Sequence, residues 1–189
     1  MRRYLGARER AHHDAVGARG RRAWLLGRIA VKDAVRRHLW AAGAGPLYPV
    51  EIEVGNHADG RPFVTVPDGR DLAVSVAHKD ELAVALVAPA GATPGIDLER
   101  IEPRPASFVA IAVTPAELAL GGAGDPDAWL TRVWAGKEAV AKARGTGLTD
   151  PRHLTCTAVA GDRLTIDGVA VDTRTDGAHV VAWTWLEPA

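Results

Sequence analysis

The stretch Asp125 to Leu148, DPDAWLTRVWAGKEAVAKARGTGL, leaves the chain least freedom. Asp125 suits a helix N-cap, and Pro126 suits the first helical position, where its fixed φ and missing N–H do no harm. Trp129, Leu130, Val133, Trp134, Val140 and Ala141 recur at three- and four-residue spacing and give an apolar face. Gly145 and Gly147, with Pro151 beyond, supply the stop. The predicted helix is about five turns long. Trp134, Glu138 and Lys142 are each four apart, so they stack on one face as a ring, a carboxylate and an ammonium. Alone, a Glu followed by Lys at i+4 is an ordinary surface pair contributing about 0.3–0.5 kcal/mol.

A second acidic element changes that reading. In Gly95-Ile96-Asp97-Leu98-Glu99, the two carboxylates are two apart on a predicted strand. Both leave one face while Ile96 and Leu98 enter the core. Adjacent carboxylates repel, and a hard divalent cation relieves the repulsion; Mg²⁺ typically takes a few carboxylate oxygens and completes its octahedron with waters and phosphates. A lone D-x-E also suits a solvated outer strand face. Glu138 would supply a third ligand.

The totals bound the class of protein. With 189 residues the chain is long enough for one core or two small ones. Its 23 basic and 23 acidic side chains balance, so no global basic field favours nucleic acid, and any anion site must be local. Cys156 is the only cysteine, which excludes an intrachain disulfide and a multi-cysteine zinc site and fits a reducing cytoplasm. The start, Met1 to Arg10, has no apolar run of a signal peptide, and the uncharged run Leu82 to Ile96 is broken by Pro89, Gly91 and Pro94. A soluble, cytoplasmic protein with no membrane partner is expected.

Leu5 to Val16 and Arg21 to Trp40 read as helices, the second burying Trp24, Leu25, Ile29, Val31, Val35 and Leu39 and ending at Gly43 and Gly45. Arg19, Arg21, Arg22, Arg28, Lys32, Arg36 and Arg37, with Arg8, Arg10, His12 and His13 upstream, form a basic patch that suits either a solvated face or an anion site. From Tyr48 the period becomes two. Val50 to Val54, Pro62 to Val66, Leu72 to Val76 and Leu82 to Val87 read as strands, and Pro89 to Pro94 as a linker. Beyond it come a strand, Gly95 to Ile101, an apolar piece, Phe108 to Val113, and a short helix with Thr114 and Glu117 in capping-box spacing. After the long helix, strands are expected near Leu154 to Val159, Arg163 to Ile166, Val169 to Val171 and His179 to Leu186. Helix plus small sheet thus occurs twice, predicting an α+β fold of two subdomains, 1–92 and 93–189.

The ordered set Gly60-Arg61-Pro62, Ser75-Val-Ala-His78, Gly95-Ile-Asp-Leu-Glu99, Trp134-Ala-Gly-Lys137-Glu138-Ala-Val-Ala-Lys142 and Gly145-Thr-Gly-Leu148 resembles the 4′-phosphopantetheinyl transferases of the single-chain, surfactin-synthetase-activating type. The resemblance implies two similar halves, each a helix on a small three-stranded, mostly antiparallel sheet, with coenzyme A as co-substrate bound between them. It implies that Asp97, Glu99 and Glu138 hold Mg²⁺, or Mn²⁺ in its place, against the pyrophosphate, and that Lys142 pairs with a phosphate. His78, with Ser75 on its strand and the basic groups Arg8, Arg10 and Arg22, would hold the 3′-phosphate, while Arg61 and Pro62 lie near the adenine. Glu117 falls where the family often has an acidic residue, and Lys137 is the lysine of its K-E pair; the roles of both stay open. The implied reaction is attack by a serine of an acyl or peptidyl carrier protein on the β-phosphate of coenzyme A, with Glu138 as base.

Two features differ from the family pattern. Ala77 stands where a second serine is frequent, and the chain lacks the full first strand before the first helix. Trp24 to Val35 resembles transferase domains integrated at the ends of polyketide synthases. Two other functions suit the same residues: a Mg²⁺-dependent phosphatase or nuclease, and a non-catalytic module that docks coenzyme A or a carrier.

Overall fold

The computed structural model describes residues 3–89 and 91–188. Met1 and Arg2 of the N-terminal run, Ala90 of the expected linker, and the side chains of Arg19 and Pro89 lie outside what it describes. The chain forms two compact units, Met1–Thr93 with Glu187–Ala189, and Pro94–Leu186.

In the first unit, α1 (Ala7–Ala15) leads into α2 (Ala18–Ala41). The α2 residues Val31, Val35 and Leu39 pack with Ile52, Val54, Val66, Leu72 and Val74 into one apolar cluster. The sheet beneath is β1 (Glu53–Asn56), β2 (Pro62–Thr65), β3 (Leu72–Lys79) and β4 (Leu82–Pro89), in sequence order and antiparallel throughout. The first strand starts later than the alternation predicts. Pro49–Glu51 is instead a 3₁₀ turn, because Pro49 suits its first position and the Glu51 carboxylate accepts the Tyr48 N–H at 2.7 Å.

In the second unit, β5 (Thr93–Arg100) is followed by α3 (Ala106–Ala112), α4 (Pro115–Ala119) and α5 (Pro126–Arg144), then β6 (Cys156–Ala160), β7 (Arg163–Ile166), β8 (Val169–Asp176) and β9 (His179–Leu186). The strand order is β5-β9-β8-β7-β6, with β6 to β9 an antiparallel meander. Helix α5 packs on this sheet through Val133, Ala139, Val140 and Ala141 against Leu164, Ile166, Val171, Val180 and Ala182. Among the described residues the two sheets have four and five strands, where the resemblance implies three each. Hairpin pairing of β1 with β2 and of β6 with β7 widens the sheets.

One network recurs in both units. Glu9 of α1 accepts the N–H of its own cap, Gly6, at 2.9 Å and the N–H of Val54 on β1 at 3.3 Å. Lys32 of α2 pairs with Glu9 at 2.5 Å and donates to the Tyr4 carbonyl at 2.6 Å. In the second unit Glu117 of α4 accepts from its cap, Thr114, and from Cys156 on β6, each at 2.7 Å. Lys137 of α5 pairs with Glu117 and donates to the Ala112 carbonyl, each at 2.8 Å. Each buried carboxylate thus ties a short helix, a long helix and a strand into one corner, with its charge matched and its oxygens satisfied.

Candidate active site

Helix α5 begins and ends as its sequence dictates. The Asp125 carboxylate accepts from Asp127 N–H at 2.9 Å and Ala128 N–H at 3.4 Å, and Gly145 closes the helix in the left-handed region at φ 68°. From Val133 to Ala143 its side chains are buried except for Trp134, Glu138 and Lys142, which are half-buried. Four-residue spacing makes these three the one open stripe along that stretch of α5.

Strand β5 meets this stripe closely. Gly95 lies so near α5 that a Cβ there would stand 1.9 Å from the Ala139 carbonyl oxygen. Two residues on, Asp97 Oδ1 accepts from Lys142 Nζ at 2.7 Å, and the same ammonium donates to the Ile96 carbonyl at 3.0 Å. Asp97 is buried, not on the solvated outer face its alternation with Ile96 and Leu98 suggests, because α5 covers that face with Lys142. Its Oδ2 is buried without a hydrogen-bond partner. Burial pushes the Asp97 carboxyl above its ordinary range; Lys142 opposes the shift and the Glu99 charge adds to it. Burial likewise raises Glu138, with the charges of Asp97 and Glu99 adding and Lys142 opposing. Glu99, half-buried, is held by Arg104 at 3.0 Å.

Among the described residues no three His, Cys, Asp or Glu side chains stand together as a ready ligand set. Lys142 pairs with Asp97, and Arg104 with Glu99. The donor chemistry still fits a hard divalent cation. Asp97, Glu99 and Glu138 are mutually repelling carboxylates, two with raised affinity for protons, and one buried oxygen has nothing to bond.

Glu117 and Lys137 belong elsewhere. Both are fully buried in the corner network, so they brace α4, α5 and β6 and do not line the open stripe. Burial works against ionisation of Glu117, but Lys137 and the N–H groups of Cys156 and Thr114 outweigh it and hold the carboxyl below its ordinary range. The indole N–H of Trp129 donates to the Glu117 carbonyl at 2.8 Å and extends the brace.

The remaining predicted residues lie in the first unit. Arg8 is exposed on α1, 3.6 Å from Glu53. Arg10 donates to the Leu5 carbonyl at 2.7 Å, and Arg22 of α2 pairs with Glu81 at the β3–β4 turn. Arg61 pairs with Asp59 at 2.7 Å in the turn leading to Pro62, the first residue of β2. On β3, Ser75 is buried and His78 is exposed opposite Ala83. Sequence reasoning missed Arg104 and the Glu9–Lys32 pair. The only signal for Arg104 was its place between Pro103 and Pro105, and the spacing of Glu9 and Lys32 carries none.

Residues 93–185 match the family model of the 4′-phosphopantetheinyl transferase superfamily. No curated protein matches the chain. No helix among the described residues is long and apolar enough to cross a membrane.

Proposed function

We propose that this chain, whose residues 93–185 match the 4′-phosphopantetheinyl transferase superfamily model, moves phosphopantetheine from coenzyme A to a serine of an acyl or peptidyl carrier protein. The products are holo-carrier and adenosine 3′,5′-bisphosphate. The observation that carries the reading is the open stripe of α5 set against buried Asp97, which brings a carboxylate pair and an ammonium together.

Asp97, Glu99 and Glu138 would hold Mg²⁺, which when bound supplies a positive centre against the pyrophosphate oxygens. Lys142, which pairs with Asp97 here, would neutralise charge on a phosphate oxygen. Glu138, directly or through a water, would accept the serine proton as the hydroxyl oxygen attacks the β-phosphorus. The new P–O bond forms as the bond to the bridging oxygen breaks, and the leaving nucleotide carries the electron pair. Trp134 walls the stripe with a half-buried apolar ring and limits water.

In the first unit, Arg8, Arg10, Arg22 and His78, with Ser75, would serve the 3′-phosphate. Arg61 and Pro62 serve the adenine. The motif order supports the single-chain, surfactin-synthetase-activating type, and Trp24 to Val35 supports the synthase-integrated subtype in a cytoplasmic setting.

Product analysis tests the reading. With coenzyme A and Mg²⁺, adenosine 3′,5′-bisphosphate should form only when apo-carrier is present, in equal amount to holo-carrier. Release without carrier would favour a hydrolase, and no release would favour a docking module.

A further inference from the structure

Arg104 has no part in the reading above, yet it is the most heavily engaged cation near the acidic cluster. Its Nη2 lies 3.0 Å from Glu99 Oε2 and its Nη1 3.3 Å from Glu102 Oε1. The guanidinium carbon sits 5.2 Å over the Phe108 ring, and Phe108 meets Trp134 edge-on at 4.9 Å. Pro103 and Pro105 flank it, so the backbone on both sides is stiff.

We propose that Arg104 is a displaceable counter-cation: it holds Glu99 while the site is empty and retreats to Glu102 and Phe108 when a divalent cation enters. The inference rests on the metal reading of Asp97, Glu99 and Glu138. Two cations, Lys142 and Arg104, neutralise two of three carboxylates and leave the third, Glu138, desolvated. A divalent ion at the cluster would face a guanidinium held on one of its own ligand oxygens. Arg104 and Glu99 are only 18% and 16% exposed, so water screens that conflict weakly. Glu102, 41% exposed, is a second anion already within reach, and the Phe108 face a second seat, so the released charge is not stranded. Because Phe108 touches Trp134, the exchange also reaches the open stripe of α5. Loading would thus shift a ring beside the reacting groups.

Calorimetric titration of the full chain with Mn²⁺ or Mg²⁺, without coenzyme A or carrier, tests this. Arg104→Gln removes the competitor and should bind metal about tenfold more tightly. Arg104→Lys should stay near the wild type. Glu102→Gln removes the retreat and should bind more weakly, and that loss should disappear in the Arg104→Gln, Glu102→Gln double variant. Where Arg104→Gln fails to fold, Arg104→Met, which keeps an apolar stem against Phe108, replaces it in both arms. Unchanged affinity in Arg104→Gln overturns the proposal, and so does weakening, which would make Arg104 a partner that orients Glu99 for the metal, a role whose loss typically costs about 10–100-fold. Glu102→Gln weakening equally in both backgrounds overturns it too, because the effect would then be general charge. No binding by the wild type or any variant overturns the metal reading itself, and the proposal with it.

Discussion

Gly95→Ala probes how β5 is seated on α5. A Cβ at Gly95 would stand 1.9 Å from the Ala139 oxygen, 2.9 Å from the Ala139 carbonyl carbon and 2.8 Å from the Ala143 nitrogen. All three are helix backbone, so no rotamer relieves the contact. Reaching ordinary separation requires strand and helix to part by about 1.5 Å. Overpacking typically costs about 1–3 kcal/mol, and contact with backbone alone places this case near the top, at about 3 kcal/mol. For a chain of this size that lowers Tm by about 6–12 °C. The same separation stretches the Lys142 bonds to Ile96 and Asp97, now 3.0 and 2.7 Å. Denaturation in urea, followed by tryptophan fluorescence with m compared between proteins, measures the effect. Gly136→Ala is the internal control: its nearest neighbours are the tips of Ile166 and Leu164, 2.6 and 3.3 Å away, which can rotate, so about 1 kcal/mol is expected. A Gly95→Ala loss under about 0.5 kcal/mol would refute the close seating of strand on helix.

Other expectations concern the buried and desolvated groups. Lys137→Met leaves Glu117 buried and uncompensated and should cost about 3–5 kcal/mol in denaturant unfolding, with much of the loss recovered when Glu117→Gln is added. Because the Glu117 carboxyl is held below its ordinary range, its stabilisation is complete at neutral pH and disappears as pH falls through its folded value. Glu117→Gln should therefore flatten the acid limb of the stability profile; an unchanged limb would contradict this. Glu138 runs the other way: with its folded pKa raised, stability falls as pH climbs from the ordinary carboxylate value toward the folded one. Glu138→Gln should be more stable than the wild type in metal-free buffer at pH above 7, and the advantage should vanish near pH 4.

Much of the site was legible because it lies on one regular helix. The cap at Asp125, the stop at Gly145 and the four-residue stripe follow from local rules, and the structure realises each. Strand β5 was legible as an element, but not the burial of Asp97. An alternating D-x-E looks the same whether water or a helix covers its polar face, and only the close approach at Gly95 decides which. The strand predicted from Val50 was misread because Pro49 and Glu51 close a short turn that competes with the alternation. Glu117 and Lys137 were visible as motif residues, but their role was not, since a buried pair and a catalytic pair have the same letters. Arg104 reaches Glu99 through a proline-bounded segment with no periodicity, so nothing in its spacing announces the contact.

The central claim is transfer to a carrier, and intact mass tests it most directly. Apo acyl carrier protein would be incubated with this chain and coenzyme A, with and without Mg²⁺, and weighed. The account predicts the mass of one phosphopantetheine arm added only with the metal, and lost in Glu138→Ala. An unmodified carrier of every type tried, from a chain that binds coenzyme A and Mg²⁺, would contradict it.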